Sequence, residues 1–153
     1  MKSLELKVLP PVIALVIALA MWAVSRFTKT YPLLGHARVG TAIAILVVGI
    51  AFMAMGVLAL RRSRTTLNPT QPNTTSALVI GGVYRITRNP MYLGLFFVLI
   101  AIGLLLSSSW SLLGALAFAL YIDRFQVVPE ERALIELFGD EYAAYKANVR
   151  RWL

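Results

Sequence analysis

Residues 39–60 read VGTAIAILVVGIAFMAMGVLAL, twenty-two consecutive residues without a charge. A helix needs about 20 apolar residues to cross the hydrocarbon core of a bilayer, so this stretch alone predicts a membrane span. Working outward, residues 8–25 form a second uncharged run, opened by Pro10 and Pro11. A third run covers residues 90–106 and ends in the polar turn Ser107, Ser108, Ser109. The fourth is expected over 110–128, uncharged to Ile122 and continuing to Val128 if Asp123 and Arg124 reach the interface. The expected fold is therefore an all-α integral membrane protein, a single domain of four transmembrane helices.

Composition agrees. Of 153 residues, 59% are apolar and 14% charged, and the mean hydropathy is +0.75. Soluble domains run near 45–50% and about 25%. With no cysteine, disulfides, thiolate chemistry and cysteine-based metal sites are excluded. His36 is the single histidine, in a short connection between two apolar runs. A metal site needs several ligands, so His36 reads as solvated and no metal is expected. The basic start followed by an apolar run resembles a signal peptide. Glu5 in the flank, the two prolines and the later spans favour a retained helix instead.

The formal net charge is +8, and its placement matters more than its size. With four crossings, one side carries Lys2, Lys7, Arg61, Arg62, Arg64, Arg85, Arg88, Arg124, Arg132, Lys146, Arg150 and Arg151. The other carries Arg26, Lys29 and Arg38. Cytoplasmic loops collect Lys and Arg. The expectation is an inner-membrane protein with both termini cytoplasmic. Its basic charge orients it against the lipid bilayer rather than binding nucleic acid.

Two segments on the basic side carry more than loops need. The 61–89 connection is long. It opens with Thr65, Thr66, Asn68, Pro69, Gln71, Pro72 and Asn73, turns apolar at 77–80, and reaches Gly81 and Gly82. Paired glycines suit a sharp turn or a close backbone approach to a ligand, and equally a flexible linker. Residues 129–149 read as a cytoplasmic amphipathic helix. Pro129 suits its first position, and Glu130 and Glu131 suit its positive end. Leu134, Phe138, Tyr142, Tyr145 and Val149 share one face, with Gly139 interrupting. The plainer reading is a helix lying on the membrane interface, anchored by its tyrosines and Trp152.

The stretch GGVYRITRNPMYLG at 81–94 resembles the cofactor signature of the isoprenylcysteine carboxyl methyltransferase and phospholipid methyltransferase superfamily. So does Pro129-Glu130-Glu131 followed by Leu134, Phe138-Gly139, Tyr142, Tyr145 and Arg150. Thr65-Thr66-Leu67-Asn68-Pro69 looks like the lead-in of bacterial members. The resemblance covers residues 61–153. It departs at Asn89, where the eukaryotic enzymes carry histidine. Asparagine still donates and accepts hydrogen bonds but takes no proton, which bears on the acceptor more than on the cofactor.

The resemblance implies a membrane-embedded methyltransferase that uses S-adenosylmethionine and releases S-adenosylhomocysteine. It implies cofactor contacts from Val83, Tyr84, Arg88, Asn89, Pro90, Tyr92, Leu93, Gly94, Glu130 and Glu131. It also implies catalytic roles among Glu130, Glu131 and Arg150. The methyl acceptor would be a hydrophobic small molecule arriving from the bilayer: a prenylated thioether carboxylate, a lipid amine or another apolar molecule. Each residue has a plainer role too. Arg88 also reads as a positive-side anchor, Tyr92 as an interfacial aromatic, Pro90 as a helix start and Gly94 as a packing site. A small four-helix transporter is the rival reading, but such proteins need an ionisable group deep in the membrane. No run has an acid near its centre. Gly49 and Gly56 offer a surface for helix association, and the oligomeric state stays open.

Overall fold

The structure of the chain, a computed structural model, describes residues 5–28, 35–65 and 72–153. Lys2, Lys29, the stretch from Thr66 to Pro69 and Gln71 lie outside the described residues. Every regular element among the described residues is helical: α1 Pro10–Phe27, α2 Arg38–Arg62, α3 Pro90–Leu105, α4 Ser109–Ile122 and α5 Val128–Asn148.

Prolines and small polar residues set where the helices begin. Leu9 is extended, and Pro10 and Pro11 take the first helical positions. Helix α1 therefore starts two residues later than hydropathy alone indicates, where a missing N–H breaks no intrahelical bond. Helix α3 starts the same way, with Pro90 after a non-helical Asn89. Ser108 caps α4 by accepting the Ser111 N–H.

Helix α1, helix α2 and the rod from Ser109 to Asn148 are long and apolar enough to cross a bilayer. Helix α3 is equally apolar but has only 16 residues. Helices α2 and α3 lie backbone to backbone. A Cβ on Gly49 would stand 2.8 Å from the Gly94 carbonyl oxygen, and one on Gly94 would collide with the Gly49 carbonyl and Met53. Gly56 receives Pro90 and Met91 in the same way. The glycines that offered a surface for helix association are thus used inside the chain. Met21, Leu99, Phe118 and Ile122 fill the seam between α1, α3 and α4.

Hydrogen bonds fix which helix ends meet. The Leu6 N–H donates to the Phe125 carbonyl at 3.1 Å. Glu5 pairs with Arg124 at 3.3 Å and Arg132 at 2.8 Å. At the opposite end the hydroxyls of Thr28 and Ser108 are 3.0 Å apart. The 5–7 segment, the 72–89 connection and the C-terminal tail gather at one end of the bundle.

The fourth apolar run does not stop at 128. Residues Asp123–Val127 form one π-helical turn, closed by the Val128 N–H on the Asp123 carbonyl, and the rod continues into α5. It bends at Gly139, whose φ of 49° and ψ of −123° are non-helical. The tyrosine face beyond the bend does not lie against lipid. Tyr142 and Tyr145 are buried against Val83 and Tyr84.

Candidate functional site

The polar end of the bundle holds a cavity of about 130 Å³, roughly ten times the space one water needs. Three segments wall it, with Leu60 of α2 beside them. The first is the start of α3 with its lead-in, contributing Tyr84, Arg88, Asn89, Pro90 and Tyr92. The second is the rod at and beyond the π turn, contributing Val127, Glu130, Glu131 and Leu134. The third is the 72–79 segment, whose Leu78 and Val79 face Tyr142 and Tyr145 of α5.

Local sequence explains each wall. Gly82 adopts φ +60°, and nothing stands within 4 Å of where its Cβ would be. The glycine is there for its backbone angle, not for space. It turns the chain into the short 3-10 turn Gly82–Arg85, which buries Val83 and Tyr84. The Tyr145 hydroxyl donates to the Tyr84 carbonyl at 2.7 Å. This joins the connection to α5, so its 72–89 part acts as a wall and not as a loose linker. The π turn widens the helix by one residue. As a result Asp123, Gln126, Val127, Glu130 and Glu131 are all presented to the site end.

The two glutamates sit in opposite surroundings. The Glu131 side chain is 7% exposed and ion-paired to Arg88 at 3.1 Å, Arg151 at 2.8 Å and Lys146 at 3.3 Å. Burial alone would raise its carboxyl, but the Arg151 hydrogen bonds and the charges of Arg88, Arg151 and Lys146 outweigh this. They hold it below the usual carboxylate range. Glu130 has no cationic partner among the described residues. Its Oε1 accepts from the Tyr92 hydroxyl and from Gln126 Nε2 at 3.1 Å. The surface it keeps lines the cavity. Burial pushes its carboxyl up to about 7, the Glu131 charge adding to this and the Tyr92 and Gln126 hydrogen bonds opposing it.

The C-terminal tail completes the site. Arg151 spans Glu131 and Asp123, with its Nη1 3.0 Å from Asp123 Oδ1. Its carbonyl accepts from Asn89 Nδ2 at 2.9 Å and Thr87 Oγ1 at 3.1 Å. Arg88 is held on one side only. Its Nη2 meets Glu131, while Nε and Nη1 are buried with no hydrogen bond of good geometry, although the Tyr142 hydroxyl is near enough to interact with the guanidinium. Buried unpaired donors are costly. A guanidinium so placed at a cavity wall is suited to an anionic group inside the cavity.

Of the residues implied by resemblance, Tyr84, Arg88, Asn89, Pro90, Tyr92, Glu130 and Glu131 come together at the cavity. Val83 packs behind Tyr84, Leu93 is buried elsewhere in α3, and Gly94 faces α2. The Arg150 side chain is exposed, and only its carbonyl takes part, accepting the Arg88 N–H at 3.1 Å. Sequence reasoning missed Asp123, Gln126, Lys146 and Arg151. Gln126 had a signal: it is a polar residue among Phe125, Val127 and Val128, one helical turn before Glu130.

A family model described as phospholipid methyltransferase matches residues 37–141. Over 63 residues the chain is 49% identical to an uncharacterized protein of Haemophilus influenzae, covering 41% of this chain and all of that protein. Over 83 residues it is 41% identical to a protein-S-isoprenylcysteine O-methyltransferase of Saccharomyces cerevisiae, covering 52% of this chain. That alignment spans 34% of the yeast protein's length. No solved structure matches.

Proposed function

The chain belongs to the phospholipid methyltransferase family, and from that premise we propose that it methylates a hydrophobic acceptor using S-adenosylmethionine bound in the cavity beneath α5. The observation that carries the reading is Arg88, buried at the cavity wall with two donor nitrogens that meet no acceptor in good hydrogen-bond geometry. Those nitrogens suit the cofactor's carboxylate. Glu130, the acid without a cation, suits its ammonium or sulfonium charge, and the wall of Leu134, Tyr142 and Tyr145 suits its adenine. When bound, S-adenosylmethionine supplies a methyl group on a positively charged sulfur, open to in-line displacement without a metal.

The protein's own part is positioning and exclusion. Asn89 and Thr87 hold the tail carbonyl, and the tail holds Glu131, so both motifs are locked in one geometry. Alignment of reactants is worth about 7–11 kcal/mol in favourable cases. The apolar wall of Leu60, Leu78, Val79 and Met91 lies at the end of α2 and the start of α3 and suits an acceptor drawn from lipid. In this reading four helices cross the inner membrane with both termini and the cavity on the cytoplasmic side. The crowding of basic residues at that end supports the orientation.

Calorimetric titration of S-adenosylmethionine and S-adenosylhomocysteine into detergent-purified protein tests the reading. Saturable binding is expected, weakened about tenfold or more in Arg88→Ala, since a charged hydrogen bond contributes about 1.5–3 kcal/mol. Folded protein that binds neither compound would overturn it.

A further inference from the structure

Resting on the methyltransferase reading, we propose that the segment ahead of α1 is a positioning part of the site: the Leu6 N–H and the Glu5 carboxylate hold the rod in the π register that carries Glu130 to the cavity. Neither Glu5 nor Leu6 lines the cavity, so both act on a bound cofactor through the turn alone.

Pro129 lies inside the continuous rod from Ser109 to Asn148. A proline has no N–H, so within a helix it leaves the carbonyl four residues earlier without its usual donor. Here that carbonyl belongs to Phe125, in the π turn. The Leu6 N–H reaches it from outside the helix at 3.1 Å. Leu6 does so at φ 58°, in the left-handed region that a leucine enters only when its surroundings impose it. Glu5 is what imposes it. Its side chain is 13% exposed and bonded to two guanidinium groups, those of Arg124 and Arg132.

Those two arginines read the register. Arg124 lies in the π turn and Arg132 in α5, eight residues further on. In a regular α-helix, positions eight apart stand about 80° apart around the axis. The extra residue taken up by the π turn brings them nearly into line, so one carboxylate meets both from one side. Glu5 therefore favours the π register over the regular one. Such a difference in contacts is what shifts the balance between two forms of a turn.

At the cavity the register decides which side chains meet. Before the turn, Phe118 and Ile122 are fixed in the seam with α1 and α3. After it, Glu130 meets Tyr92 and Gln126, and Glu131 meets Arg88. Without the extra residue, α5 would turn by about 100° relative to the seam. Both glutamates would then swing away from their partners, and Glu130 from the cation it is assigned.

The experiment is titration of S-adenosylhomocysteine into detergent-purified variants of the whole chain, each held well below its own unfolding temperature. Leu6→Pro removes the N–H and should weaken binding about tenfold or more. Leu6→Gly keeps the N–H and suits φ 58°, so it should bind as the natural chain does. Glu5→Ala should weaken binding about twofold to fivefold, and by less in high salt, which screens half-exposed pairs. Lys7→Gln changes an exposed neighbour and should leave affinity as it is. A segment that merely braces the fold would lower the unfolding temperature of Leu6→Pro and Glu5→Ala and leave their affinity unmoved, and that result would overturn the proposal. Equal losses in Leu6→Gly and Leu6→Pro would overturn it too, because the N–H would then be irrelevant. If Leu6→Pro does not fold, Glu5→Ala against Lys7→Gln decides, and equal affinities in those two would sink the idea. A natural chain that binds no S-adenosylhomocysteine would strike the parent reading, and this proposal with it.

Discussion

Glu130 and Glu131 are adjacent in the chain, yet their surroundings move their acidities in opposite directions, and stability should record both. Glu131 is held below its ordinary value of 4.5. The stability it contributes is present above that value and is lost as pH falls through its lowered pKa. Glu130 is raised from 4.5 to about 7. Its contribution is complete below pH 4.5 and is lost as pH rises through about 7, a loss of about 3 kcal/mol for a shift of that size. Unfolding temperature in detergent should therefore peak on the acid side of neutrality. Glu131→Gln should flatten the acid limb and Glu130→Gln the neutral limb. Identical profiles in the two variants would refute the assignment. At this scale the motif residues were legible because the chemistry of the side chain and its spacing are both written in the chain. Arg150 against Arg151 was not. Val149 is extended (φ −125°, ψ 132°), and successive side chains of an extended segment point to opposite sides. Only one of the two arginines can reach Glu131, and which one depends on how the tail docks.

Among the helices, two glycines with different jobs give opposite expectations for the same substitution. Gly139 has open space around its Cβ position but a backbone angle of φ +49°. Alanine there is strained by its own backbone, at about 1–3 kcal/mol, and should loosen the part of α5 that carries Tyr142, Tyr145 and Lys146. Gly94 has ordinary helical angles but meets the Gly49 carbonyl and Met53. Alanine there must push α2 from α3, at about 1–3 kcal/mol. Proteolysis in detergent distinguishes them: Gly139→Ala should expose the C-terminal segment first, and Gly94→Ala should destabilise the whole bundle. Equal patterns would mean that one of the roles is misassigned. The long apolar elements were legible, since α2 exceeds the uncharged run by only a few residues at its ends. The π turn was not. It inserts one residue into an otherwise regular rod, and no residue type announces it. Yet it brings Asp123 and Gln126 to the same end as Glu130.

For the whole molecule, the charges anticipated that the 5–7 segment, the 72–89 connection and the C-terminal tail share one end of the bundle, while the cap formed there was not legible. The cap joins residues 87–89 to 150–151, some 60 positions apart, through backbone carbonyls that any residue carries. Helix α3 has a consequence of its own. Its 16 residues rise only about 24 Å, against a hydrocarbon thickness of about 30 Å. It is pinned along α2 by Gly49 and Gly94, and tilting would only shorten its reach across the bilayer. On the proposed four-span reading, the membrane around it must become thinner, or the head of α3 must sit below the lipid headgroups. Either way the protein feels how long its neighbouring lipids are. In vesicles of a graded series, unfolding temperature should be highest with acyl chains of about 14 carbons and fall toward about 22. A flat series would mean that the short helix is relieved elsewhere. A falling one would make the bilayer itself a regulator, setting how far Asn89 and its neighbours lie from the water at the polar end of the bundle.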